Sequence, residues 1–167
     1  TPGNQSYGST TLAANATRSA GGGAGTISTG AITGNGNSLT LDGQATLGAT
    51  SGVNSLTANR SLTTTGPVSA ATLADAGAAT LGGNVMTTSA QTYNGSVGLT
   101  NNVTLAAPTL TVAGAVNGGA NNLAVNASGA TTFNGNCPSP NLACTRSPTF
   151  ASFTLRTMRP SSCCRIA

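Results

Sequence analysis

Residues 30–41 read GAITGNGNSLTL, and residues 114–125 read GAVNGGANNLAV. The two stretches align without a gap at an offset of 84 residues. Gly30 matches Gly114, Ala31 matches Ala115, Ile32 matches Val116 and Asn37 matches Asn121, while Leu39 and Leu41 match Leu123 and Val125. Self-similarity at a fixed distance marks a repeat architecture, in which one structural unit stacks on the next. The offset divides into four units of about 21 residues, which predicts one rung type returning after about four turns of a coil.

The same texture continues outward from both copies. Ser38-Leu39-Thr40-Leu41, Ser96-Val97-Gly98-Leu99, Val103-Thr104-Leu105, Leu110-Thr111-Val112 and Leu123-Ala124-Val125 alternate apolar and small or polar residues. A period of two marks half-buried strands. Gly34-Asn35-Gly36-Asn37, Gly82-Gly83-Asn84, Asn94-Gly95 and Asn117-Gly118-Gly119 bound these runs as turns. Gly, Thr, Asn and Ser are poor in helix interiors, so helices are not expected. A second pattern, a small or polar residue followed by Thr, then Leu or an aromatic, then Gly or Asn, recurs at 45–48, 79–82, 91–94 and 131–134. Thr80, Thr92 and Thr104 stand twelve residues apart.

Together these features predict an all-β fold: a parallel β-helix solenoid of about six or seven rungs over residues 1–136. Strands about 4.8 Å apart would make it a rod on the order of 30 Å long. Inward aliphatics would stack into ladders, and turn asparagines into hydrogen-bonded ladders. An antiparallel β-sandwich is the rival arrangement and requires tighter two-residue hairpins.

Composition narrows the function. Charged residues make up 5% of the 167, against about 25% in ordinary domains. Lys, Glu, His and Trp are absent. The recurring aliphatics and small net charge argue against disorder. The formal charge of +4 is unevenly placed. Residues 1–136 hold Arg18, Arg60, Asp42 and Asp75, which cancel, while Arg146, Arg156, Arg159 and Arg165 follow with no acid. The body has no basic stripe, so nucleic acid is not an expected partner. No apolar stretch approaches the roughly 18 residues of a membrane-spanning helix. The chain opens at Thr1 without a charged region leading into an apolar run, which is expected of a fragment lacking its signal peptide. The body has no cysteine and does not rely on disulfides.

Catalytic chemistry finds few residues to use. Without His, Lys or Glu, the usual base beside a nucleophile is missing. Asp42 and Asp75 are the only carboxylates for paired-acid glycoside chemistry. They would meet only by stacking on neighbouring rungs, and the plainer reading makes them two solvated turn residues. Cys137 and Cys144, and the adjacent Cys163 and Cys164, lack the two-to-four residue spacing of zinc ligands. Gly21-Gly22-Gly23 is followed by no acid, so a calcium-binding repeat is absent. Sequons at Asn4, Asn15, Asn59, Asn94, Asn102 and Asn126 carry no weight in so Asn-, Ser- and Thr-rich a chain. Thr63-Thr64-Thr65 and Thr109-Leu110-Thr111 suggest an ice-binding face. Such a face needs its motif once per rung at constant spacing, and here the spacing drifts. Tyr93 and Phe133 read as sugar-stacking platforms or, more simply, as core residues replacing Leu47 and Leu81 in one column. No catalytic, cofactor-binding or metal-ligating residue is expected.

Residues 87–99, TTSAQTYNGSVGL, together with TFNGN at 132–136, resemble the repeats of large bacterial secreted adhesins. These are the filamentous-haemagglutinin-like proteins and autotransporter passengers, and the resemblance spans about residues 26–136. It implies a right-handed β-helix, secreted or on the bacterial cell surface, acting in adhesion or as a stalk. It carries no catalytic residues, and its implied partner is a host-surface or glycan receptor. The expected function is therefore a non-catalytic structural or adhesive segment. The alternatives are an ice- or glycan-binding module on the same scaffold, or a filament subunit pairing end to end through uncapped rung edges.

After Asn136 the texture changes. Residues 137–167 hold all four cysteines and four of the seven prolines. Three readings fit this tail: a disulfide-stapled cap, a Pro-bearing linker, or the product of a shifted reading frame or artificial junction.

Overall fold

The computed structural model describes residues 3–21 and 24–135, together with the backbone of three later strands, Leu142–Cys144, Phe153–Leu155 and Arg165–Ile166. Its regular elements are all strands, and every strand pairing is parallel. The fold is a β-solenoid of about seven coils, and the antiparallel sandwich is excluded. Among the described residues no helix is long and apolar enough to cross a membrane.

Each coil supplies strands to three ladders, which define three faces. The first face stacks Gln5–Tyr7, Thr26–Thr29, Gln44–Leu47, Leu62–Thr64, Ala79–Leu81, Val97–Leu99 and Val116–Asn117. The second begins with Thr10–Thr11 and Ile32–Thr33 and later takes in Val85–Thr87, Val103–Ala107 and Leu123–Ala127. The third runs through Ala16–Ser19, Leu39–Asp42, Ala90–Tyr93, Thr109–Val112 and Thr131–Phe133. In the third and fourth coils the second and third faces join in single long strands, Thr50–Ala58 and Val68–Asp75. Gly52, at φ 65°, accommodates the register shift where these two strands pair. On the first face one coil takes 17–22 residues, as the pairs Gln5↔Ile27, Ala45↔Leu62 and Val97↔Val116 illustrate.

Alternation then sorts the side chains. Ile27, Ala45, Leu62, Ala79, Val97 and Val116 form one inward column on the first face. Leu39, Leu56, Leu73 and Leu110 share another on the third, interrupted by Gln91. One continuous hydrophobic cluster extends from Leu12 to Phe133. Each fully buried aliphatic contributes roughly 1.5–3 kcal/mol relative to exposure, and this burial drives the stacking.

The corners are sealed by asparagine and glycine. Asn15, Asn84 and Asn102 accept, through Oδ1, the backbone N–H of Ser38, Thr104 and Asn122 in the following coil, at 2.8–2.9 Å. Asn37, Asn101 and Asn121 act in the other direction, donating from Nδ2 to Leu12 O, Gly82 O and Leu99 O at 3.0–3.1 Å. These asparagines bond backbone, coil to coil, and do not form the expected side-chain ladders. At the corner from the third face to the first, a Cβ on Gly95, Gly114 or Gly135 would lie 2.0–2.3 Å from the glycine carbonyl oxygen one coil earlier. No side chain fits in that stack.

The doubled segment falls on different faces. Ile32 lies on the second face and Leu39 and Leu41 on the third, whereas Val116 lies on the first and Leu123 and Val125 on the second. The 84-residue offset therefore falls one face short of five coils, and the expected return of one rung type after four turns is corrected. The repeated unit is a corner together with the two strands that flank it. In both copies the Gly34–Asn37 or Gly118–Asn121 turn closes with an i to i+3 bond of 2.8–2.9 Å. Positive φ occurs at Asn35 and Gly36 in one turn and at Gly119 in the other.

Cys137, Cys163 and Cys164 lie outside the described residues, only the backbone of Cys144 is described, and the expected change of character after residue 136 falls largely outside them. The three later strands continue the parallel pairing in backbone register, with Leu142 opposite Leu123, Leu155 opposite Phe133 and Arg165 opposite Ala143.

Candidate functional site

The body's ionisable side chains are dispersed. Asp42 is half-buried at the end of its strand and accepts a hydrogen bond from Ser19 Oγ at 3.2 Å. Asp75 points inward and is fully buried, so its reading as a solvated turn residue is corrected. Its column runs Leu41, Ala58, Asp75, Tyr93, Val112, Phe133, and Asp42 is not in it. The two carboxylates do not meet, and no paired-acid geometry forms. Arg60 is exposed at a corner. Arg18 turns inward in the first coil, its guanidinium carbon 3.7 Å from the centroid of the Tyr7 ring. That distance is within cation–π range. Among the described residues no three of His, Cys, Asp and Glu come together.

Asp75 belongs to a buried polar cluster. Its Oδ1 accepts the Gly77 N–H at 3.4 Å, and Oδ2 has no partner. Burial raises its pKa from 3.8 to about 7, opposed by the Gly77 bond. In the next coil the buried Tyr93 donates to Gln91 Oε1 at 3.3 Å. Gln91 in turn reaches across the core to Val85 O and Ala106 O at 3.1 and 2.9 Å. Burial, then the nearby Asp75 charge, raise the Tyr93 phenol pKa. Tyr93 and Phe133 are core residues, so neither is a sugar-stacking platform. They share a column with each other and not with Leu47 and Leu81, which stack on the first face.

The outward positions are the remaining candidates. On the second face they run Thr11, Thr33 and Ser51, then Ser69, Met86, Ala106 and Asn126. Along that side lies a shallow uncharged groove of about 400 Å³, bordered by Ala31, Thr33, Pro67, Ser69 and Met86. On the first face the outward column is Ser6, Ser28, Thr46, Thr63 and Thr80, ending in Gly98 and Asn117. Of the first suggested threonine motif, Thr63 faces out and Thr64 is buried.

The third face is the most regular. Its outward column is Thr17, Thr40, Thr57, Ala74, Thr92, Thr111 and Thr132. Six of seven rungs carry threonine. Successive members are 23, 17, 17, 18, 19 and 21 residues apart. The spacing drifts along the chain, yet the column is aligned in space because corners of unequal length absorb the difference. Reading the sequence at fixed spacing missed this column. The local signal was a threonine between two inward residues, as in Leu39-Thr40-Leu41, Leu56-Thr57-Ala58 and Leu110-Thr111-Val112.

No protein-family model matches the chain, and neither a curated protein nor a solved structure matches it.

Proposed function

We propose that this solenoid is a non-catalytic structural and adhesive segment of a secreted or surface-exposed bacterial repeat protein. One observation carries the reading: a continuous apolar core, closed at the corners by backbone-bonding asparagines, holds up faces made almost entirely of short uncharged side chains. Such a body supplies reach and a fixed polar surface. Its functional parts are its outward columns, and Asp75 and Tyr93 lie inside the core. The partner class is a host-surface or glycan receptor met over an extended area.

Two measurements test this. Antibodies raised against the described solenoid should label intact cells of the producing bacterium, and labelling only after permeabilisation rejects the surface assignment. Beads coated with the protein should bind epithelial cells or a glycan array saturably, in competition with free protein. Retention no greater than that of uncoated beads rejects adhesion.

A further inference from the structure

We propose that the threonine column of the third face is an ice-binding surface, in which Thr17, Thr40, Thr57, Thr92, Thr111 and Thr132 present a periodic row of hydroxyls and methyls to the water lattice. This proposal stands apart from the adhesive reading, because it concerns one face and needs no receptor.

The argument begins with regularity. Parallel strands repeat about every 4.8 Å, so each hydroxyl and its methyl recur at that interval along the rod. This period is close to the repeat of water oxygens along the a axis of hexagonal ice. The one break is Ala74, which keeps a methyl-sized group at the same level.

Strand propensity alone does not account for the column. Threonine favours strands, and Thr–Thr cross-strand pairs stabilise them. That preference acts on all three faces of one solenoid. The second face nevertheless places Met86, Ala106 and Asn126 in its outward column, and the first places Gly98 and Asn117. The fold accepts variety there while the third face keeps threonine.

The surroundings suit a flat uncharged solid. On one side of the column stand Ser38, Ser55, Thr72 and Thr109, and on the other Ser19, Asp42, Asn59 and Asn94. None of these is longer than Asn or Asp, and the longer Arg60 stands beyond Asn59 at the corner. Asp42 is the single ionisable group in these rows, and it lies at the margin. Ser38, beside Thr40, has its backbone N–H fixed by Asn15 at 2.9 Å. A face pre-ordered in this way loses little conformational entropy on contact. Tyr93 and Phe133 are inside, so they give this face no aromatic platform for a sugar.

The test is ice-affinity partitioning with thermal hysteresis, on the full chain and on Thr57→Tyr, Thr92→Tyr and Thr63→Tyr. Thr63 lies in the outward column of the first face and serves as the control. The unaltered protein should enrich in a slowly grown ice hemisphere relative to a bystander protein, and should show hysteresis. Thr57→Tyr and Thr92→Tyr should abolish both, and Thr63→Tyr should retain both, with unfolding midpoints reported for each variant. If the unaltered protein is excluded from ice like the bystander and shows no hysteresis at millimolar concentration, the proposal is overturned, whatever the variants do. It is overturned equally if Thr63→Tyr loses as much as Thr92→Tyr. Retention on crystalline polysaccharide without ice affinity would reassign the face to glycan.

Discussion

Asp75 occupies the last inward position before a corner, where its Oδ1 meets the N–H of Gly77. This local bond, between residues two apart, resembles the turn-forming bonds of aspartate, and it explains why Ala-Asp-Ala-Gly reads as a turn in the sequence. The turn is real, but the carboxyl lies on its inner side. Burial lifts the pKa from 3.8 to about 7, so between roughly pH 4 and pH 7 the folded chain keeps a proton that the unfolded chain has released. Stability from this group is fully present below pH 4, declines as pH rises to 7, and is level above it. The decline is on the order of a few kcal/mol at most. Asp75→Asn keeps the size and removes the titration. Denaturant unfolding should therefore show the variant markedly more stable at pH 8 and nearly equal to the parent at pH 4. A pH profile still falling between 4 and 7 in the variant would place the titrating group elsewhere.

At the scale of elements, the corners are more informative than the strands. Asn37 and Asn121 lie on different sides of the coil but donate to the preceding coil in the same way, to Leu12 O and Leu99 O. Asn37→Ala and Asn121→Ala should each destabilise the fold by about 1 kcal/mol, the usual net worth of one hydrogen bond. Chemical denaturation checks this, and a large difference between the two would mean that the corners are not equivalent modules. Glycine gives a sharper contrast. A Cβ on Gly114 would sit 2.3 Å from Gly95 O, whereas one on Gly98 would meet nothing nearer than 3.8 Å. Gly114→Ala should therefore destabilise by more than about 1 kcal/mol, and Gly98→Ala should be neutral or stabilise by up to about 1 kcal/mol. Opposite signs in denaturation midpoints are the expected outcome. These corners also mark how far the sequence could be read. Leu39-Thr40-Leu41 and Leu123-Ala124-Val125 announce strands by alternation, and Gly34-Asn35-Gly36-Asn37 announces its turn. The face each strand joins depends on how many residues every intervening corner consumes. That number varies, which is why the doubled segment lands on different faces and why the threonine column was hidden in a drifting spacing.

At the scale of the whole molecule, the solenoid is one-dimensional. Each coil touches only its neighbours, so stability is close to a sum of coil and interface contributions. Val68–Asp75 lies in the fourth coil, and its Leu73, fully inside, stacks between Leu56 and Gln91. Leu73→Ala should remove about 2–5 kcal/mol, as large-to-small core changes do, and should remove it from two interfaces at once. In a globular core such a loss lowers every probe together. Here it should also uncouple the two ends. The bonds Leu62 N–H to Ala78 O and Val68 N–H to Asn84 O flank the lesion, while Ile32 N–H to Ala49 O and Leu110 N–H to Ala130 O lie in outer coils. Hydrogen exchange followed against denaturant should show the Leu62 and Val68 amides losing protection first and the Ile32 and Leu110 amides persisting to higher concentration. The parent should lose all four within a narrower interval. If the four amides of Leu73→Ala open at one common concentration, stacking is not nearest-neighbour, and the rod unfolds as a single cooperative body.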